Sequence, residues 1–121
     1  MKSCLVVDDS RVIRKVACRI LESLHFDAKE AADGNSALAA CRTKMPDLIL
    51  LDWTMPDMGG LEFLRNLRRE SGGERPVIVF CTMENDAGQI KDALAAGASE
   101  YLMKPFDRDT IAAKLAQVGL S

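Results

Sequence analysis

Residues 48–56 read LILLDWTMP, and this stretch decides the fold. Its first four residues are all apolar, without the alternation of apolar and polar side chains that marks a strand with one face in water. A continuous apolar run of this length is typical of a strand buried on both faces of a parallel sheet. We therefore predict a central strand over residues 47–51, followed at once by Asp52.

Similar runs recur outward from this strand in both directions. Residues 4–7 and 77–81 are equally apolar, residues 28–32 form a weaker run that fits a strand nearer a sheet edge, and residues 99–103 form a fifth. The intervening stretches have apolar residues at helical spacing. After a first helix, they predict helices over residues 36–44, 61–69, 87–96 and 110–118.

The first helix is the most regular of the five in its sequence pattern. Ser10 is placed to cap its start, and His25 ends it, because histidine tolerates the left-handed conformation better than most residues. One apolar stripe contains Val12, Ile13, Val16, Ile20 and Leu24. Its basic residues, which we place away from that stripe, are Arg11, Arg14, Lys15 and Arg19.

Five strand-then-helix units in a row require a parallel sheet with helices on both faces, which is a doubly wound α/β fold. Glycines and prolines fall between the predicted elements, as expected for turns. They are Gly34, Gly59, Gly60, Gly72, Gly73, Gly97, Pro46, Pro56 and Pro76. The 121 residues suit one domain over 1–121, with no linker or second domain.

Composition excludes several classes of function. The net charge of -2, from 16 basic and 18 acidic residues, argues against direct binding of nucleic acid. Because no apolar run is long enough for a membrane span or a signal peptide, we expect a cytoplasmic protein without membrane insertion. The widely spaced Cys4, Cys18, Cys41 and Cys81 form no zinc motif, and we predict reduced thiols in the core.

Polar residues stand at the carboxyl ends of the predicted strands, where ligands bind in such sheets. They are Asp8, Asp9, Asp52, Thr82 and Lys104. Three converging carboxylates repel one another unless a cation joins them, and oxygen ligands in an open site favour Mg²⁺. A carboxylate nucleophile, a metal, a hydroxyl and an ammonium group are the parts of a phosphoryl-transfer site.

The segments LVVDDS, LILLDWTMP, VFCT and LMKPF resemble the receiver domain of bacterial two-component response regulators, and the resemblance runs from end to end of the chain. The single-domain form is similar to the chemotaxis regulators. The resemblance implies a five-stranded sheet in flavodoxin-like order, with Asp52 as the phosphoacceptor.

It further implies that Asp9 and the carbonyl of Thr54 bind Mg²⁺ directly, with Asp8 holding it largely through water. Thr82 and Lys104 would grip the phosphoryl group, and the Lys104–Pro105 bond would be cis.

The resemblance also implies a switch in protein binding. Thr82 would move toward the phosphoryl group, Tyr101 would change between outward and inward positions, and the face formed by the fourth helix, fifth strand and fifth helix would bind a target differently. Ile90 and Leu94 are the apolar anchors that we expect for the fourth helix. Candidate output residues are Ile90, Tyr101, Met103 and Lys114.

Some positions depart from the family's commonest pattern, and others are ones that set the lifetime of the acyl phosphate in this family. Gly59 stands where an acid is common, and we expect little consequence. Met83 follows Thr82 where a smaller residue is common, so we predict that it narrows access for small phosphodonors. By the resemblance, Thr54 and Glu84 set how fast water attacks the acyl phosphate.

Two groups of basic residues have open interpretations. Those of the first helix are either a docking surface for the histidine-bearing donor, as the resemblance implies, or a solvated helix face. A second group around the third helix, which we take as solvated, contains Arg65, Arg68, Arg69 and Arg75.

The resulting hypothesis is a monomeric signalling protein rather than an enzyme acting on other molecules. It would accept a phosphoryl group from a histidine kinase or a histidine phosphotransfer protein, and with no output domain it would act on a downstream protein target. Chemotaxis is the first expectation; a relay or phosphate sink in cell-cycle or stress signalling is the second. A receiver that is never phosphorylated, and a phosphatase acting through an aspartyl phosphate, are the remaining alternatives.

Overall fold

The computed structural model describes residues 1–83 and 87–120 and contains five strands and five helices in strict alternation. The strands are β1 (Lys2–Val7), β2 (Phe26–Ala31), β3 (Leu48–Asp52), β4 (Val77–Thr82) and β5 (Glu100–Met103). The helices are α1 (Arg11–Ser23), α2 (Gly34–Thr43), α3 (Gly60–Arg69), α4 (Ala87–Ala95) and α5 (Arg108–Gln117). All strand pairs are parallel and the order is β2-β1-β3-β4-β5, which confirms the predicted doubly wound, flavodoxin-like sheet.

The element boundaries differ from the prediction by a few residues, for local reasons. Gly34 and Gly60 are the first residues of α2 and α3 rather than turn residues, because Asp33 and Gly59 occupy the N-cap positions. Gly60 has no room for a side chain, since a Cβ there would overlap the Trp53 ring. The start of α5 lies at Arg108, where the side chains of Asp107 and Thr110 form a capping box.

The core consists of two apolar layers, one on each face of the sheet. Alternate residues of β3 supply both: Ile49 belongs to the layer under α2, α3 and α4, and Leu48 to the layer under α1 and α5. Phe63 and Leu21 are fully buried against these two faces respectively. Each such side chain stabilises the fold by about 1.5–3 kcal/mol. This two-sided burial is the reason that β3 reads as a continuous apolar run.

The predicted apolar stripe of α1 is confirmed only in part: Ile20 and Leu24 pack against the core, but they are not its most buried residues. Ala17, Cys18 and Leu21 pack on the sheet, whereas Val12 is 72% exposed and Val16 is 42% exposed. Residues four apart share one side of a helix, so the two valines lie together on a different side from the buried residues. They line a shallow groove with Pro105 and Phe106.

Arg68 is likewise not the solvated residue that we predicted. Its guanidinium donates hydrogen bonds to the carbonyls of Gly73 (2.8 Å), Pro76 (3.2 Å) and Gly97 (2.7 Å). These carbonyls belong to the loops before β4 and after α4, so the side chain ties three segments together. The neighbouring Arg65, Arg69 and Arg75 are exposed, as expected.

In α4 the buried anchor is Ala93 rather than Leu94, whose side chain is exposed. The helix therefore has a small apolar contact with the sheet, although Ile90 packs against the core.

The predictions for His25 and for the four cysteines are confirmed. His25 has a φ of 69°, which is the left-handed conformation expected at the end of α1. The four cysteines are buried free thiols, and burial raises the pKa of Cys81 to about 12, so that thiol stays protonated and unreactive. Within residues 1–83 and 87–120, no helix has the length and apolar character that crossing a bilayer requires.

Candidate functional site

The strand order places the predicted site residues at one edge of the sheet. The chain leaves β1 toward one side of the sheet and β3 toward the other, so a crevice opens between their carboxyl ends. A cavity of about 410 Å³ lies there. Its lining contains Asp8, Asp9, Ser10, Ile13, Asp52, Trp53, Thr54, Cys81, Thr82, Met83, Gln89 and Lys104.

A buried, ion-paired lysine lines the cavity. Lys104 Nζ is 2.7 Å from Asp8 Oδ2 and 3.1 Å from Asp52 Oδ1, and only 8% of the lysine side chain is exposed. Burial by itself lowers the pKa of Lys104, but attraction to Asp8 and Asp52 outweighs it, so the pKa is raised. The ammonium group is therefore charged at neutral pH. The Lys104–Pro105 peptide is cis, as the resemblance implied.

Asp8 is held by its own loop and by α1. The backbone N–H of Ser10 donates to Asp8 Oδ1 at 2.9 Å, and Arg14 Nη1 donates to the Asp8 carbonyl at 2.8 Å. Arg14 also donates from Nε to Glu30 Oε1 at 2.9 Å. Sequence reasoning missed this supporting role of Arg14, because nothing in the pattern separates it from the other basic residues of α1.

The three carboxylates form a cluster that could hold a metal ion. Carboxylate oxygens of Asp8, Asp9 and Asp52 all lie within 4.8 Å of one another, with Asp9 exposed and the other two buried. Lys104 supplies one positive charge against these three groups. An oxygen-only donor set, open to water on the Asp9 side, fits a hard divalent cation such as Mg²⁺. Thr54 lies on the cavity wall, and its backbone N–H is 3.4 Å from Asp52 Oδ1.

Thr82 also lines the cavity; it is the last residue of β4 and is buried. Its hydroxyl donates to Gln89 Oε1 at 3.3 Å. Met83 follows at the rim, with 75% of its surface exposed. Gln89 was not among the predicted site residues, because no local pattern marks a glutamine in the first part of a helix. Glu84, for which we predicted a role in acyl-phosphate lifetime, lies outside the described residues.

The predicted output residues lie around β5 and its neighbours. Tyr101 is half-buried, and its ring centroid is 6.1 Å from that of Phe80, which is 5.0 Å from that of Trp53. Lys114 Nζ stands 4.6 Å above the Tyr101 ring and 3.4 Å from Glu100 Oε1. Met103 pairs with Thr82 in the sheet. A continuous row of three aromatic rings thus leads from the residue after Asp52 to Tyr101.

Comparison with known proteins agrees with this geometry. The family model described as response regulator receiver domain matches residues 4–116. The chain is 36% identical over 114 residues to the phosphate regulon transcriptional regulatory protein PhoB of Escherichia coli (strain K12), covering 94% of this chain and 50% of PhoB. It is 37% identical over 111 residues to the DNA-binding response regulator MtrA of Mycobacterium tuberculosis, covering 92% of this chain and 47% of MtrA.

The chain thus spans about half the length of these curated relatives. Among solved structures, the chemotaxis protein CheY4 of Vibrio cholerae superposes with a TM-score of 0.93 at 34% identity, and the match covers 98% of both chains.

Replacing Asp52 by asparagine tests the electrostatics of the cavity. Burial raises the pKa of Asp52 above its usual 3.8; attraction to Lys104 opposes this shift and repulsion from Asp8 adds to it. The ionised group therefore disfavours the folded state. We expect Asp52→Asn, in metal-free buffer at pH 7, to raise the free energy of unfolding by about 1 kcal/mol, the size of a typical single-residue effect. Urea denaturation measures this difference.

The difference in the free energy of unfolding between Asp52→Asn and the wild type should depend on pH in a definite direction. Because the pKa of Asp52 is raised in the folded state, the folded protein binds the Asp52 proton more tightly than the unfolded chain does. Protonation of Asp52 therefore stabilises the folded wild-type protein as the pH falls through the raised pKa toward 3.8. The advantage of Asp52→Asn over the wild type should therefore disappear over the same range. An advantage that persists unchanged to pH 3.5 would contradict this account.

Proposed function

The chain belongs to the family of response regulator receiver domains, and on that premise we propose that it accepts a phosphoryl group on Asp52 and thereby switches its binding to a partner protein. The observation that carries the proposal is the buried Lys104, whose ammonium group bridges Asp8 and Asp52 at the switch point of the sheet. The donor is a histidine kinase or a histidine phosphotransfer protein.

In the proposed reaction, a carboxylate oxygen of Asp52 attacks the phosphorus atom of a phosphohistidine. An O–P bond forms, the P–N bond breaks, and the electron pair of that bond leaves with the imidazole nitrogen, which takes a proton. Lys104 lies beside Asp52 Oδ1 and would neutralise negative charge on the phosphoryl oxygens, while the Thr82 hydroxyl would donate a hydrogen bond to one of them.

Asp8, Asp9 and Asp52 are the side chains that would hold Mg²⁺, with the Thr54 carbonyl as a further ligand. The bound cation would reduce the repulsion between the carboxylates and the incoming phosphoryl group. Asp9 is the exposed member of the three and lies where a hydrated ion can enter. In this reaction the protein changes only its own covalent state, so it is a signalling phosphoacceptor rather than an enzyme with a separate substrate.

A surface beside the cavity suits the docking of the donor. The groove between α1 and the loop after β5 exposes Val12 and Val16 next to Pro105 and Phe106, and it shares Ile13 and Lys104 with the cavity. Of the basic residues of α1, Arg14 and Lys15 pair with Glu30, at 2.9 and 2.6 Å. Those two therefore have a structural role, and we propose that the exposed valines are the main contact for the donor.

Two of the alternatives lack support in this geometry. A receiver that is never phosphorylated usually lacks part of the acid set, the threonine or the lysine, whereas here all five residues line one cavity. An aspartyl-phosphate phosphatase needs a second carboxylate two residues after its nucleophile, and that position is Thr54.

Phosphorylation can be followed through Trp53, the only tryptophan of the chain, which adjoins Asp52 and lines the cavity. We expect its fluorescence to change on addition of Mg²⁺ and again on addition of phosphoramidate or beryllofluoride. Asp52→Asn should abolish the second response. If the fluorescence responds to Mg²⁺ but not to the small donors, the experiment is repeated with a phosphohistidine donor. No change in fluorescence with that donor would contradict the proposal.

Met83 is proposed to restrict access of small donors. Its side chain lies on the rim of the cavity directly after Thr82. We expect Met83→Ala to raise the rate of phosphorylation by phosphoramidate several-fold, measured as the rate of the Trp53 response, while leaving the response to Mg²⁺ unchanged. An unaltered rate would show that the methionine does not limit access.

For the pathway, we propose a stand-alone regulator in chemotaxis that acts in the cytoplasm. The superposition on the chemotaxis protein CheY4, with a TM-score of 0.93 at 34% identity, supports the assignment to chemotaxis. A relay or phosphate sink in cell-cycle or stress signalling is the alternative. Of the two relatives that are about twice as long as this chain, PhoB is a transcriptional regulatory protein and MtrA is a DNA-binding response regulator. Deleting the gene should alter swimming bias and leave growth and stress survival intact; the reverse outcome would favour the alternative.

A further inference from the structure

The hydrogen bond between Thr82 and Gln89 joins the phosphoryl site to helix α4. Thr82 ends β4 inside the cavity, and Gln89 belongs to the first turn of α4 and lines the same cavity. The threonine hydroxyl donates to Gln89 Oε1 at 3.3 Å. Both residues are at least partly buried, so water does not freely replace this bond.

This bond competes with the function proposed for Thr82. A hydroxyl group carries one hydrogen and can donate it to one acceptor at a time. If that hydrogen points to the glutamine oxygen, it does not point to a phosphoryl oxygen on Asp52. Transfer of the hydrogen bond to the phosphoryl group therefore requires that the contact with Gln89 break.

We propose that Gln89 is a positioning residue that accepts the Thr82 hydrogen bond in the unphosphorylated protein. When the Thr82 hydroxyl donates to the phosphoryl group instead, this contact breaks and the first turn of α4 is free to move. The proposal rests on the phosphorylation of Asp52 proposed above and adds the side chain that connects it to the helix. Thr82 is the residue that touches the phosphoryl group; Gln89 acts through Thr82.

Helix α4 buries little apolar surface, so a single hydrogen bond can influence its position. Ala93 is the buried residue of this helix among those described, while Leu94 is exposed and Ile90 is half-buried against the core. With so little apolar surface buried, the position of the first turn depends strongly on the contacts of side chains such as Gln89. Movement of that turn would carry Ile90, which lies on the predicted output face.

A double-mutant cycle tests the coupling. Gln89→Met keeps the length of the side chain and removes the amide acceptor, and Thr82→Val keeps the shape and removes the hydroxyl. With phosphoramidate and Mg²⁺, Gln89→Met should speed the Trp53 response about fivefold, the size expected for losing one competing hydrogen bond. The same change in the Thr82→Val background should have no effect on the rate.

Lys91→Met is the matched control, since it places the same residue on an exposed position of the same helix. It should leave the rate unchanged. Equal rates in the wild type and Gln89→Met, or the same acceleration with and without the Thr82 hydroxyl, would overturn the proposal, because the glutamine would then not act through Thr82.

Amide hydrogen exchange, measured without Mg²⁺ or a phosphodonor, tests the role of Gln89 independently of the proposed phosphorylation of Asp52. Gln89→Met and Thr82→Val should each increase amide exchange in the first turn of α4 by a similar factor, and the double variant should add nothing further. Unchanged exchange in both variants would overturn the role of Gln89 even if Asp52 is phosphorylated. If Asp52 proves not to be phosphorylated, the proposed function fails and the exchange measurement still tests the bond.

Discussion

The bridging of Asp8 and Asp52 by the Lys104 ammonium group is the interaction on which the rest of the site depends. Two carboxylates buried side by side repel each other and lose their hydration, and a cation placed between them offsets part of both costs. Removing the lysine would leave two buried anions without the positive charge that they share. The bridge also joins the loops that follow β1 and β5 to the end of β3, so it defines where these segments stand relative to one another.

The charges around this bridge suit the binding of a further cation and then of an anionic group. Three carboxylates against one ammonium group leave a negative cavity that favours a divalent ion on the exposed Asp9 side. The same lysine then faces whatever group is attached to Asp52. The buried ion pair thus limits the cost of the clustered carboxylates in the absence of a ligand, and it places a positive charge where the proposed phosphoryl group would be attached.

Two sets of contacts lead from this site to the surface of α4, β5 and α5. One passes through the rings of Trp53, Phe80 and Tyr101 to the ammonium group of Lys114. The other passes from the Thr82 hydroxyl to Gln89 in α4. They begin at the ends of the neighbouring strands β3 and β4, so both sets of contacts start next to Asp52.

Much of this architecture was predictable from sequence because it follows from local pattern and from the geometry of parallel sheets. The uninterrupted apolar run of β3 required burial on two faces, and the strand-end positions of Asp8, Asp52 and Lys104 followed from the parallel arrangement. The exposure of Val12 in α1 did not follow, because the side of the helix that faces the sheet depends on which side chains fit there, and Ala17 and Cys18 allow close packing.

Arg68 and Gln89 could not be predicted for a related reason. The partners of Arg68 are carbonyl groups in two loops that meet only in the folded chain, at Gly73, Pro76 and Gly97. Gln89 meets Thr82 only because α4 begins over the end of β4. Polar side chains whose partners come from such long-range packing look the same in sequence as solvated ones.

The central claim, that Asp52 is the phosphoacceptor, is tested most directly by locating the phosphoryl group. The protein would be incubated with Mg²⁺ and a phosphohistidine donor, reduced with borohydride to convert an acyl phosphate into the corresponding alcohol, digested and sequenced by mass spectrometry. The account predicts homoserine at position 52 and nowhere else, with Asp52→Asn unmodified. Unreduced Asp52, or homoserine at Asp8 or Asp9 instead, would contradict it.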